Sequence, residues 1–419
     1  MIRRKVGFVI GRLSDINQGG QEVYAQKLAQ KLAPYWDIEF LTSCSNSYHT
    51  WSMDYEPGLS TSSNGYKIRR FQQSPSNPEK IVLSSNLAFS NPYIPGSDLS
   101  MLKEMGPWMP ELPLYLQQNR DNYDFFLFFG YLWATSIFGT APVADRSILV
   151  PMAHNEPYLY FPVYRQLFHS IPGIVFHTPE DMLLVQKVHG PLSADWDIMG
   201  FGIDSISTTQ PDLFKTTFNI NNPYLLYIGR INNAKGCSEL LKMFNSFRSH
   251  LPEQVTLVFI GEPEDQMHEI PEGVLITGYV DEEMKQSAIS GALALINPSQ
   301  KESLSIVLLE SWAQGTPVLV NAYCEVTRAQ VLRSGGGTWY HDSQDLGNHV
   351  SQLLTNPDQK KIWSEKGLEY IRSSMCNWEE ITRKYWLFGE SLFWKNRSRS
   401  HPENLLKHYL NQYGGCLNR

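Results

Sequence analysis

This chain has no long apolar run, few cysteines and little net charge. The run Phe125-Phe126-Leu127-Phe128-Phe129 is five residues, far below the roughly 20 that a membrane-crossing helix requires. The five cysteines are Cys44, Cys237, Cys324, Cys376 and Cys416. They are scattered and odd in number and form no C-x-x-C, which argues against a disulfide framework and a zinc site. A net charge of −7 argues against general nucleic-acid binding. No G-x-G-x-x-G follows the first apolar run, which weakens a dinucleotide-oxidoreductase reading. No Asp-x-Asp follows a strand candidate. The acidic stretches Glu262-Pro263-Glu264-Asp265 and Asp281-Glu282-Glu283 read as solvated loops, and no metal is expected. Internal repeats and low-complexity tracts are lacking as well.

What is present fits a globular enzyme. At 419 residues, two domains are the expectation. The 42% hydrophobic and 18% charged content is that of a soluble, ordered protein. Met1-Ile2-Arg3-Arg4-Lys5 begins like a signal peptide. Its apolar stretch, however, ends at Gly11-Arg12 without a small-residue cleavage site, so it reads as a first strand of a cytoplasmic protein. Lys395, Arg397, Arg399 and Lys407 make the last stretch locally basic. That is a solvated tail or a weak contact with anionic lipid at the inner face of a membrane.

Strand and helix patterns alternate along both halves. In the first, Lys5–Ile10, Asp37–Thr42, Tyr66–Arg70, Phe125–Phe129, Ser147–Ala153 and Gly173–His177 read as strands, and Gln21–Leu32 as a helix. Residues 43–66 read as an irregular insertion. Proline-rich 72–110 reads as a long loop suited to an acceptor site. In the second half, Tyr224–Ile228, Thr256–Gly261, Val274–Thr277, Ala292–Pro298 and Pro317–Asn321 read as strands. Cys237–Arg248, Glu282–Ser290, Ile306–Gln314 and Ser343–Leu354 read as helices. Unbroken apolar runs are expected of parallel strands covered on both faces. The predicted architecture is α/β, two Rossmann-like domains. The boundaries are 1–203, 204–376 and a C-terminal helical segment, 377–419.

Two segments carry the chemistry. Gly229-Arg230-Ile231-Asn232-Asn233-Ala234-Lys235-Gly236 follows the strand Tyr224–Ile228. It offers two cations on one strand-to-helix loop, and an arginine suits bidentate phosphate binding. Glu302-Ser303-Leu304-Ser305-Ile306-Val307-Leu308-Leu309-Glu310 offers two carboxylates, the later one inside a helix start. Carboxylates accept hydrogen bonds from vicinal hydroxyls, and amides at a helix N-terminus face phosphates. Gly19-Gly20 precedes the first helix and lets backbone N–H groups approach an anion. His154 follows the strand Ser147–Ala153, His177-Thr178-Pro179-Glu180 ends the next one, and Gly202-Ile203-Asp204 marks the domain break.

The order strand, Gly-Arg, Lys-Gly, then Glu-x7-Glu resembles the C-terminal half of the GT-B glycosyltransferases of family 4. The resemblance covers about 200–380 closely and 1–200 more loosely. It implies a GT-B fold with the domains facing across a cleft and the last helix crossing back. It also implies a retaining, metal-independent hexosyltransferase, whose nucleoside diphosphate sugar donor is a substrate rather than a cofactor. The acceptor is a hydroxyl of a glycan, a lipid-linked glycan or a small molecule. Arg230 and Lys235 would hold the diphosphate together with Gly229 and the Ser303–Ile306 backbone. Glu310 would hold the ribose, and Glu302 and His154 the hexose. The family's Gly-Phe-Gly after the first glutamate is Ser303-Leu304-Ser305 here. An epimerase on the same fold and a non-catalytic GT-B binding subunit are the alternatives.

Overall fold

The structure is a computed structural model that describes residues 3–14, 19–62, 64–204, 210–264, 270–372, 376–398 and 404–413. Asp265, Arg399, Cys416 and the side chain of Arg397 lie outside the described residues. The chain forms two units, Met1–Met199 with Thr382–Arg419, and Gly200–Ile381.

The first unit is built on the strands β1 (Arg4–Ile10), β2 (Trp36–Ser43), β3 (Gly58–Thr61), β4 (Lys67–Phe71), β5 (Phe125–Phe129), β6 (Ser147–Val150), β7 (Gly173–Phe176) and β8 (Asp195–Ile198). Their order is β3-β4-β2-β1-β5-β6-β7-β8. Every pairing is parallel except β3 with β4. All five residues of β5 are buried, because β5 lies inside the sheet with helices on both faces. Gly7 in β1 pairs with Phe126. A Cβ at Gly7 would lie 2.5 Å from the Phe126 ring, so only glycine lets that ring cover the strand. From Thr382 onward the helix Trp378–Ser398 packs on this unit. The Tyr385 hydroxyl is 2.8 Å from that of Tyr24, and Arg4 donates twice to Glu390, at 2.8 Å each. The helix Leu405–Tyr413 buries Leu406, whose N–H donates to Ser170 Oγ at 2.8 Å.

The second unit holds β9 (Tyr224–Ile228), β10 (Thr256–Ile260), β11 (Val274–Ile276), β12 (Ala294–Asn297), β13 (Val318–Asn321) and β14 (Gly337–Tyr340). This sheet is wholly parallel, in the order β11-β10-β9-β12-β13-β14. Strand alternation sorts its side chains onto two faces. Leu225, Leu257, Phe259 and Leu319 meet Leu240, Phe244, Leu346 and Val350 on one side. Leu226, Val258 and Ile260 meet Phe214, Ala288 and Ile289 on the other.

Three expectations need correction. Residues 43–66 contain the edge strand β3, whose side chains are all exposed, so no apolar pattern announces it. The loop expected over 72–110 contains the helices Pro78–Ala88 and Ser97–Met105. Its prolines and glycines punctuate helices rather than dissolve them. Asn77 Oδ1 accepts from Lys80 N at 3.1 Å, and Pro78 takes a first helical position, where its missing N–H costs nothing. Gly96 and Gly106, at φ 84° and 78°, bracket the second helix. The strand expected to reach Ala153 stops at Val150. Pro151 cannot donate to a ladder, and Met152 turns at φ 54°. The segment leading to His154 is therefore a loop.

Candidate functional site

In the second unit both cations lie on one short loop. After β9 the backbone turns at Gly229, φ 147°, and again at Gly236, φ 79°. A Cβ at Gly236 would stand 2.7 Å from the Pro298 carbonyl oxygen, so glycine lets this loop lie against the chain leaving β12. Between the turns, Asn232 Oδ1 accepts from the Lys235 N–H at 2.9 Å, and Asn232 Nδ2 donates to Glu264 at 2.6 Å. Ile231 N donates to the Glu262 carbonyl at 3.1 Å, and Glu264 N to that of Ile231 at 3.0 Å. Buried Ile231 thus anchors the loop, while the Arg230 side chain remains 43% exposed, 3.8 Å from Glu264.

Each carboxylate of the Glu-x7-Glu segment bonds to a lysine. Lys235 Nζ donates to Glu302 Oε1 at 2.8 Å. Lys285 Nζ, on the helix Glu282–Gly291, donates to Glu310 Oε1 at 2.8 Å and lies 2.9 Å from Glu282. Burial alone would lower the Lys285 pKa, but Glu310 and Glu282 outweigh it and raise the value. Lys285 therefore stays charged and fixes the Glu310 carboxylate. Sequence reasoning missed Lys285. Its only signal is that it lies three residues after Glu282 on a helix.

Between the two glutamates the chain makes a tight turn. Leu304 is buried, and its carbonyl accepts from Gln330 Nε2 at 2.6 Å. Ser305 adopts φ 65° just before the helix Ile306–Ala313, a conformation that favours glycine. Asn297 Nδ2, at the end of β12, donates to Ser305 Oγ at 2.8 Å. The serine thus gains a side-chain hydrogen bond that glycine lacks, which offsets part of the backbone cost.

In the first unit Gly19 caps the helix Gly20–Leu32, but its N–H is already engaged. It donates to Glu22 Oε2 at 2.6 Å, and the buried Glu22 also accepts from Arg12 at 2.6 and 2.7 Å. Burial raises the Glu22 pKa, against the opposing pull of Arg12. The Gly19 amide is therefore committed to a carboxylate rather than turned to an outside anion. His154 is half-buried, and its Nδ1 has no hydrogen-bond partner among the described residues. The loop before it is held by Asp181, whose Oδ1 accepts from Ala153 N at 3.2 Å and whose Oδ2 accepts from His177 N at 3.4 Å. Among the described residues no group of three metal-ligating side chains could hold a metal ion, and no helix is long and apolar enough to cross a membrane.

Asp181 and His177 give the first unit a pH signature. Burial pushes the Asp181 carboxyl up to about 8 and the His177 imidazole down to about 3. The raised carboxyl lends stability that is complete below its ordinary value and lost as pH rises through 8. The lowered histidine lends stability that is complete above its ordinary value and lost as pH falls through 3. Their slopes oppose each other below about pH 6.5, the ordinary histidine value, and above it only the aspartate acts. Stability should therefore fall as pH rises from 6.5 towards 8, and Asp181→Asn should flatten that fall. Parallel urea melts of both proteins across this range check it. Equal slopes would count against the assignment.

Comparison with known proteins agrees with the fold. Residues 209–370 match the family model of "Glycosyl transferases group 1". An uncharacterized glycosyltransferase of Methanocaldococcus jannaschii is 24% identical over 197 residues, 44% of this chain and 50% of that protein. A second from the same organism is 23% identical over 156 residues, covering 35% and 38%. The chain spans about half, or less, of the length of these curated relatives. Sucrose-phosphate synthase from Thermosynechococcus elongatus superposes with a TM-score of 0.70 at 16% identity, over 94% of this chain and 100% of that one. WaaG, a glycosyltransferase involved in lipopolysaccharide biosynthesis, gives 0.65 at 15%, over 91% and 98%. Anabaena Alr3699/HepE in complex with UDP and glucose gives 0.66 at 12%, over 93% and 100%. The two sheets are thus those of a GT-B fold, and residues 209–370 match the glycosyl transferases group 1.

Proposed function

We propose that this protein is a retaining glycosyltransferase that moves a hexosyl group from a nucleoside diphosphate sugar to a hydroxyl acceptor without a metal ion. The observation that carries the reading is the loop after β9, with Arg230 exposed and Lys235 hydrogen-bonded to Glu302. Departure of a nucleoside diphosphate builds negative charge on phosphate oxygens, and fixed cations stabilise that charge without proton transfer. Arg230 and Lys235 are the groups for this task. Lys235 exchanges Glu302 for phosphate, and the freed carboxylate turns to the hexose. Glu310, held by Lys285, accepts from the ribose hydroxyls. A relative solved with UDP and glucose supports the nature of the donor.

The test is transfer or donor hydrolysis with a panel of UDP-, GDP- and ADP-hexoses. One donor should be consumed with retained anomeric configuration, and turnover should survive EDTA. Activity abolished by EDTA and restored by Mg²⁺ or Mn²⁺ would refute metal independence. Epimerisation of the donor without transfer, or no reaction with any donor, would refute the transferase reading.

A further inference from the structure

The first unit contains a cavity of about 410 Å³ that the donor site does not involve. Ligand pockets run from about 300 to 1,000 Å³. Its walls come from the 72–110 insertion: Asn77, Lys80, Ser100, Lys103, Glu104 and Trp108 are among its lining residues. Ser100, Lys103 and Glu104 are three and four positions apart on the helix Ser97–Met105, so they share one face. The walls are tied together, since Ser74 N donates to the Trp108 carbonyl at 2.8 Å.

The charge in this cavity is unbalanced. It holds two ammonium groups and one carboxylate. Among the described residues neither lysine has a carboxylate within 4.0 Å, although Glu104 shares the lining. Lys103 is half-buried. Its ammonium lies 5.0 Å from the centroid of the Trp108 ring and 5.3 Å from that of Phe138. Those two rings meet edge to face at 4.7 Å. The aromatic faces orient the cation without neutralising it. Burial lowers the Lys103 pKa, a penalty that an anion in the cavity would relieve. Exposed Lys80 supplies a second cation, and Asn77 and Ser100 supply polar groups for hydroxyls.

We propose that this cavity binds a saccharide carrying an anionic group, phosphate or carboxylate, with Lys103 and Lys80 on the anion, Trp108 against a sugar face and Ser100 and Asn77 on hydroxyls. Such a ligand is the acceptor, or the end of one. That assignment rests on the transferase reading, whereas the binding itself does not.

Calorimetry on the full chain tests it, with glucose 6-phosphate, glucuronate, glucose and inorganic phosphate as probes. At least one anionic sugar should bind more tightly than glucose and than inorganic phosphate. Lys103→Gln should weaken that binding tenfold or more. Lys80→Gln, at an exposed position, should weaken it several-fold with an unchanged melting temperature. Trp108→Ala should weaken that anionic sugar's binding while affecting inorganic phosphate less. Affinity unchanged in both lysine variants, glucose binding as tightly as its phosphate, or binding only to phosphatidylglycerol vesicles would each overturn the proposal. UDP binding by the wild-type chain, measured in parallel, tests the donor reading separately, so one failure is not mistaken for the other.

Discussion

Arg230→Ala and Lys235→Ala should each lower turnover by about 10²–10³, the scale for loss of one preorganised contact to a developing charge. The two residues share one loop but differ in surroundings. Arg230 is the more exposed, 43% against 28% for Lys235, and among the described residues no carboxylate lies within hydrogen-bond distance of it. Lys235 is held by Glu302 at 2.8 Å. Removing Arg230 leaves no buried charge behind, so its loss should appear in the chemical step with little change in melting temperature. Removing Lys235 also strips Glu302, a side chain only 15% exposed, of a partner. The double variant Lys235→Ala/Glu302→Ala should therefore lose less than the sum of the single losses, because groups in contact are non-additive. Near-normal turnover in both single variants would remove the loop from the reaction.

The second large effect separates the two carboxylates. Glu310→Ala should raise KM for the donor about tenfold or more with a modest change in kcat. Ribose is held alike before and during transfer, and a hydrogen bond to a charged group contributes about 1.5–3 kcal/mol. Glu302→Ala should instead lower kcat, because its proposed partner is the sugar whose charge changes. Lys285→Met should copy Glu310→Ala. It leaves the carboxylate in place but without the ammonium at 2.8 Å that fixes it. Calorimetry with the free nucleoside diphosphate is the second readout, where Glu310→Ala and Lys285→Met weaken binding and Glu302→Ala does not. Reversal of the two glutamates in both assays would overturn their roles.

The fold was legible in the sequence where burial was complete. Phe125–Phe129 and Tyr224–Ile228 lie inside parallel sheets, and their unbroken apolar runs mark both strands to the residue. The edge strands β3 and β8 were not legible, because half their surface faces water, whereas the edge strand β11 was read as Val274–Thr277. The all-exposed β3 and the charged β8, Asp-Trp-Asp-Ile, show no such run. Residues 72–110 misled because proline reads as a breaker, whereas Pro78 starts a helix behind the Asn77 cap. At the candidate site, loop positions could be read from strand ends, but pairing could not. Lys285 meets Glu310 across 25 positions, and nothing in a helical lysine announces a distant carboxylate. The Gly19-Gly20 loop read as open because the carboxylate that takes its amide, Glu22, looks like an ordinary first-turn residue until Arg12 is folded against it.

The measurement that bears most directly on the central claim is a thermal melt of the wild-type chain with UDP, GDP and ADP in turn. A ligand at about 100 times its Kd adds about 2.7 kcal/mol to the folded state, or roughly 5–10 °C for a unit of this size. One of the three nucleotides should give that shift without added metal, and the Arg230→Ala/Lys235→Ala double variant should lose most of it. No shift with any of the three at millimolar concentration, or an equal shift in the double variant, would contradict a nucleoside diphosphate held by the loop after β9.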